Sequence, residues 1–90
     1  MGTRNNPGKF DCHAAAAPAE PMFVLLGRDP TAALLVRLWV ALREGLDGNV
    51  EEREKFLEAV SCADAMEKWA RALGKGARVD KAKAVFAVIA

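Results

Sequence analysis

The sequence predicts a small α+β domain that is mostly α, an antiparallel two-helix hairpin with one or two short strands against it, completed by oligomerisation. Three observations carry that expectation. The apolar run Met22 to Leu26 lies between Pro21 and Gly27 and has the length of a buried strand. Two longer segments, about 30–46 and about 50–73, repeat apolar residues every three or four positions, as amphipathic helices do. The chain is 52% hydrophobic in only 90 residues, and a domain of that size buries only about 60–65% of the surface its unfolded chain exposes. Some apolar surface is therefore left for a partner.

Residues 1–20 mix Gly, Pro, Asn and an alanine run, the composition of a flexible N-terminal arm, and residues 21–90 form a single small domain. The strand expected at about 22–26 stops at Gly27. Asp29 and Pro30 then open the first helix: an Asp side chain caps free N–H groups of the first turn, and proline's fixed φ suits the first helical position. Within that helix Leu35, Leu38, Trp39, Leu42 and Leu46 form one stripe. Leu34, Val36 and Val40 widen it, and Arg37, Arg43 and Glu44 mark the side that must stay wet. Asn49 with Glu52 fits a reciprocal capping box that starts the second helix. Phe56, Val60, Ala63, Met66, Ala70 and Leu73 give that helix its apolar stripe, and Gly74 is placed to end it. The last segment, about 82–89, holds Val85, Phe86, Val88 and Ile89 among alanines. It is read as a strand pairing with 22–26, with a short helix as the alternative.

Composition excludes several functions. Thirteen basic and twelve acidic side chains give a formal net charge of +1, so no overall field draws the chain to nucleic acid or anionic lipid. The longest apolar run carries Arg37 and falls short of the roughly 20 residues that cross a bilayer. Cys12 and Cys62 form no C-x-x-C pair and there is one histidine, His13, so neither a disulfide framework nor a metal site is signalled and no cofactor is expected. The expected setting is the cytoplasm. An enzyme needs a nucleophile, a base or a metal in a cleft, and this inventory predicts none.

Three sets of residues remain as candidate sites. Gly27, Arg28 and Asp29 stand where a strand meets a helix N-terminus, a favourable place for a phosphate or carboxylate. Against that reading, Asp29 brings a negative charge and, as a cap, occupies the donors an anion needs. Trp69, with Arg37, Arg71, Lys75 and Arg78, could anchor and steer a protein partner. Leu34, Leu38, Trp39 and Leu42 are the candidate oligomer interface, because leaving such side chains wet forfeits about 1.5–3 kcal/mol each. No zinc-finger, basic-zipper or RNP pattern is present, so specific DNA reading is not expected.

The order "EPMFVLLGRDPTAALLVRLW … SCADAMEKW" resembles a diffuse group of small proteins carried by phages and prophages of GC-rich bacteria. The matching positions are Glu20 to Phe23, Gly27, Asp29, Ala32, Trp39, Ala63, Asp64, Met66 and Trp69, so the resemblance covers residues 20 to 70. It brings no activity. What it implies is a context: small non-enzymatic phage proteins often antagonise host defence, as anti-CRISPR proteins or as sponges for signalling nucleotides. The leading expectation is thus a non-enzymatic inhibitor that occupies a host protein, such as a CRISPR effector. The alternatives are a sponge for a small anionic ligand and a self-associating structural module.

Overall fold

The structure is a computed structural model that describes residues 1–47 and 53–89. Its described residues form four helices: α1 (Cys12–Ala15), α2 (Ala32–Asp47), α3 (Arg53–Ala72) and α4 (Gly76–Ile89). No strand occurs among them, which corrects the α+β expectation to an all-helical fold. Helices α2 and α3 form the hairpin, and α4 folds back against the end of α3. The capping box expected at Asn49 and Glu52 lies outside the described residues.

Both expected strands fail for one reason. A strand needs a neighbour to take its backbone hydrogen bonds, and the segment meant to pair with 22–26 is the helix α4. Four of its residues are alanine and three are Lys or Arg, all strong helix formers whose summed preference outweighs the β-branched positions. The 22–26 run is left unpaired, with Met22, Phe23, Val24 and Leu26 exposed and Leu25 half-buried.

The helix ends follow local rules. Asp29 Oδ1 accepts hydrogen bonds from the Thr31 backbone N–H at 2.9 Å and from the Thr31 hydroxyl at 2.7 Å. The Asp29 carbonyl accepts from Ala32 N–H at 3.1 Å, so the chain enters α2 through one tight turn. At the other end of the hairpin Gly74 takes φ 81°. Its N–H donates to the Arg71 carbonyl at 3.0 Å while Lys75 N–H donates to the Ala70 carbonyl at 3.0 Å. These two bonds make a Schellman cap that reverses the chain into α4. An added Cβ at Gly74 meets nothing within 4 Å, so Gly74→Ala tests backbone strain alone. A loss of about 1 kcal/mol in urea unfolding is expected, and an unchanged midpoint would refute it.

The core is thin. The buried apolar residues among those described are Ala32, Ala33, Val40, Phe56, Ala59, Ala63, Ala70 and Val79. Most are alanines, which bring the helices close but bury little area each. Trp39 stands edge-on to Phe56, ring centroids 5.8 Å apart at 74°. Together with Val40, Ala59, Val36 and Met1 they form the main apolar cluster. Arg43 and Lys55 each sit 5.7 Å from the Trp39 ring centroid, covering its faces with cations. Trp39 is therefore part of the monomer's own core. The first ten residues, expected to form a loose arm, lie against α3: the Met1 ammonium is 3.0 Å from Glu58 and the Lys9 ammonium 3.1 Å from Glu54.

The rotation of α2 is the main departure from the sequence pattern. Ala33, Val36 and Val40 face α3, and Arg37, expected on the wet side, is half-buried in the same seam. Leu35, Leu42 and Leu46, members of the expected apolar stripe, are 42%, 58% and 79% exposed, and Leu42 belongs to the set expected at an oligomer interface.

Candidate functional site

A run of charged side chains explains that rotation. Arg37 donates from Nη1 to Glu67 Oε1 at 2.7 Å and from Nη2 to Asp64 Oδ1 at 2.9 Å. Arg71 donates from Nε to Glu67 Oε2 at 3.1 Å and from Nη2 to Asp80 Oδ1 at 2.8 Å. Lys83 Nζ lies 3.2 Å from Glu67 Oε1. One carboxylate thus gathers a cation from each of the three long helices. The arrangement holds α2, α3 and α4 together with balanced charge.

The Glu67 side chain is 19% exposed. Hydrogen bonds from Arg37 first, then Arg71 and Lys83, bring its pKa down to about 2 from an ordinary 4.5, against the opposing effect of burial. Arg71 likewise holds the Asp80 carboxyl below its ordinary range. Asp64 and Glu67 are the acidic side chains that α3 contributes to this network. Arg37 and Arg71, the sequence's candidates for partner steering, already have structural partners here.

The Gly27–Asp29 turn is packed against the start of α4. Lys75 Nζ donates to the Arg28 carbonyl at 2.8 Å. The Asp29 carboxyl is held below its ordinary pKa, mainly by the Thr31 backbone N–H and hydroxyl and to a smaller degree by the charges of Arg78 and Lys75. Asp29 itself takes the Thr31 N–H that an anion would use. The local cations Lys75 and Arg78 balance Asp29, and the turn acts as a cap and a tether.

The structure brings Gly27 and Trp69 together. A Cβ built on Gly27 would lie 3.6 Å from Met66 Cα and 3.7 Å from Trp69 Cβ, ordinary contact distances, so the chain crosses α3 directly at this point. An open cleft of about 630 Å³ forms there. Its floor is an α3 stripe of Cys62, Met66 and Trp69, one wall is Leu25 and Leu26, and the N-terminal residues 2–5, including Arg4, make a polar lip. Such a volume and an apolar floor with few polar groups suit a ligand or a partner's side chains. Trp69 is 63% exposed, the larger part of its indole left to solvent.

Only Trp69 and Gly27 of this site were legible in advance. Cys62, Ala65, Met66 and Trp69 do recur at helical spacing beside the core stripe, which is the signal that could have shown it. The lip required knowing where residues 2–5 lie. Among the described residues no cluster of three or more His, Cys, Asp or Glu side chains could hold a metal ion. His13 is exposed, its backbone N–H donating to Asp11 Oδ1 at 2.9 Å, and Cys62 is a half-buried free thiol in the cleft floor. No helix among the described residues is long and apolar enough to cross a membrane. In comparisons with known proteins, no family model, no curated protein and no solved structure matches this chain.

Proposed function

We propose that this chain is a non-enzymatic binding protein that inhibits a host defence component, such as a CRISPR effector, by seating an apolar segment of that protein in the Trp69 cleft. The observation that carries the reading is the indole of Trp69, 63% exposed on the floor of a cleft of about 630 Å³. An exposed tryptophan in a concave apolar site has the chemistry of a binding hot spot. Leu26, 50% exposed in the adjoining wall, extends the apolar contact. Arg4 at the lip and Arg28, next to Gly27, are exposed cations that favour an acidic rim on the partner. The phage context rests on the resemblance of residues 20 to 70, and the site of action that follows from it is the cytoplasm of the bacterial host.

The test is capture from lysate of a bacterium that carries a CRISPR system, with the full chain and its Trp69→Ala variant as baits. The wild-type chain is expected to retain an effector subunit, and the variant to bind it about 30-fold more weakly or worse. Because the indole is mostly wet, the variant should keep its helical circular dichroism. Equal retention by both baits, or no effector in either, would overturn the reading.

A further inference from the structure

With Arg37 turned toward α3, the opposite side of α2 is left uncovered. Leu35, Leu38, Leu42 and Leu46 follow one another at steps of three and four along it, the spacing of a helix-packing seam. One flank of this face is apolar, with Leu34, Ala41 and Gly45, and on the other flank Arg43 turns onto the Trp39 ring. Beside its N-terminal half α4 contributes Val85 and Ile89, 51% and 77% exposed, across an open groove of about 450 Å³. Leu38 is half-buried, while Leu35, Leu42, Leu46, Val85 and Ile89 are each between 42% and 79% exposed, an apolar patch of the kind that marks an interaction site.

We propose that this face is covered by a second copy of the chain, α2 packing antiparallel on α2 about a two-fold axis near Leu38. Three features favour that occupant. Antiparallel alignment about Leu38 sets Leu35 of one copy over Ala41 of the other, Leu34 over Leu42 and Leu38 over itself, so the row is closed by apolar side chains throughout. Gly45 has open space around it, with nothing within 4 Å of an added Cβ, and it lets a neighbouring helix approach.

The charges also fit. Arg78 and Lys81 border the groove at its Pro30 and Thr31 end. In the antiparallel arrangement they meet the carbonyl end of the other copy's α2, whose last turn carries no basic residue. A parallel pairing would bring the cations of both copies together. The face is also distinct from the Trp69 cleft, which lies on α3, so dimerisation and partner binding can proceed together.

Sedimentation velocity of the full chain from low to high micromolar concentration tests the proposal. A monomer–dimer equilibrium is expected, and Leu42→Glu should raise its dissociation constant about a hundredfold or more by placing a carboxylate in the apolar seam. Leu42 is 58% exposed in the monomer, so its variant should keep wild-type helical content. Lys81→Glu should weaken the dimer about tenfold, with a gap that narrows in high salt. Trp69→Ala should leave the equilibrium unchanged. A wild-type chain that stays monomeric at the highest concentration would sink the proposal. So would a dimer indifferent to both Leu42→Glu and Leu35→Glu, or an open series of larger species.

Discussion

Replacing Phe56 by alanine should remove about half of the chain's stability, about 3–5 kcal/mol, and lower its urea midpoint accordingly. Phe56 is 4% exposed, the largest side chain among the buried residues, and the one that meets both Trp39 and Val40. Removing a buried phenylalanine costs about 3–5 kcal/mol in lost burial and residual cavity. The total stability of a domain this size is about 5–10 kcal/mol, and a core made mostly of alanines has little other large-side-chain burial to compensate. A urea titration followed by circular dichroism checks this, and a midpoint within error of wild type would show that the Phe56–Trp39 cluster is not the core. Dimerisation through α2 would raise the stability of both proteins with concentration, so the comparison belongs at matched concentrations.

Glu67→Gln should lower stability at neutral pH by about 1–2 kcal/mol, allowing for solvent screening, and the melting temperature by about 5–10 °C. The neutral amide leaves Arg37, Arg71 and Lys83 facing one another without the carboxylate that gathers them. The pH dependence carries the sign. Glu67 titrates near 2 in the fold against an ordinary 4.5. Its contribution is therefore fully present above about pH 4.5 and is lost as pH falls toward 2, where the folded group takes up its proton. Wild-type stability should decline through that window, and the variant should decline less because one of the responsible groups is gone. Parallel acid-limb profiles for the two proteins would show that Glu67 is not held by its three cations. Asp64→Asn, removing a carboxylate that is 60% exposed and pairs with Arg37, should have a smaller effect.

The unequal legibility of the fold has a physical basis in the range of each interaction. Asp29 as a cap and Gly74 as a helix terminator were readable because each acts on hydrogen bonds within five residues. The last segment was ambiguous, because Val85, Phe86, Val88 and Ile89 argue for a strand only if a neighbouring strand is present, and alanine and lysine argue for a helix without one. Once 22–26 has no ladder to offer, helix is the state that satisfies the backbone. The apolar stripe of α2 was legible as a stripe, but not in its orientation. The pattern identified Leu35, Leu42 and Leu46 correctly as one face, but a hydrophobic stripe does not say whether it is covered from within the chain or from outside.

The sequence by itself determined the helical hairpin, its local start and stop signals and the excess of apolar surface on the first long helix. Tertiary structure alone decided which face of α2 is inside, that Trp39 is core while Trp69 opens a cleft beside Gly27, and that α4 is a helix. The first set depends on neighbours a few positions apart. The second depends on groups such as Arg37 and Glu67, 30 residues apart along the chain, whose attraction no local pattern contains and whose meeting turns the leucine face of α2 outward.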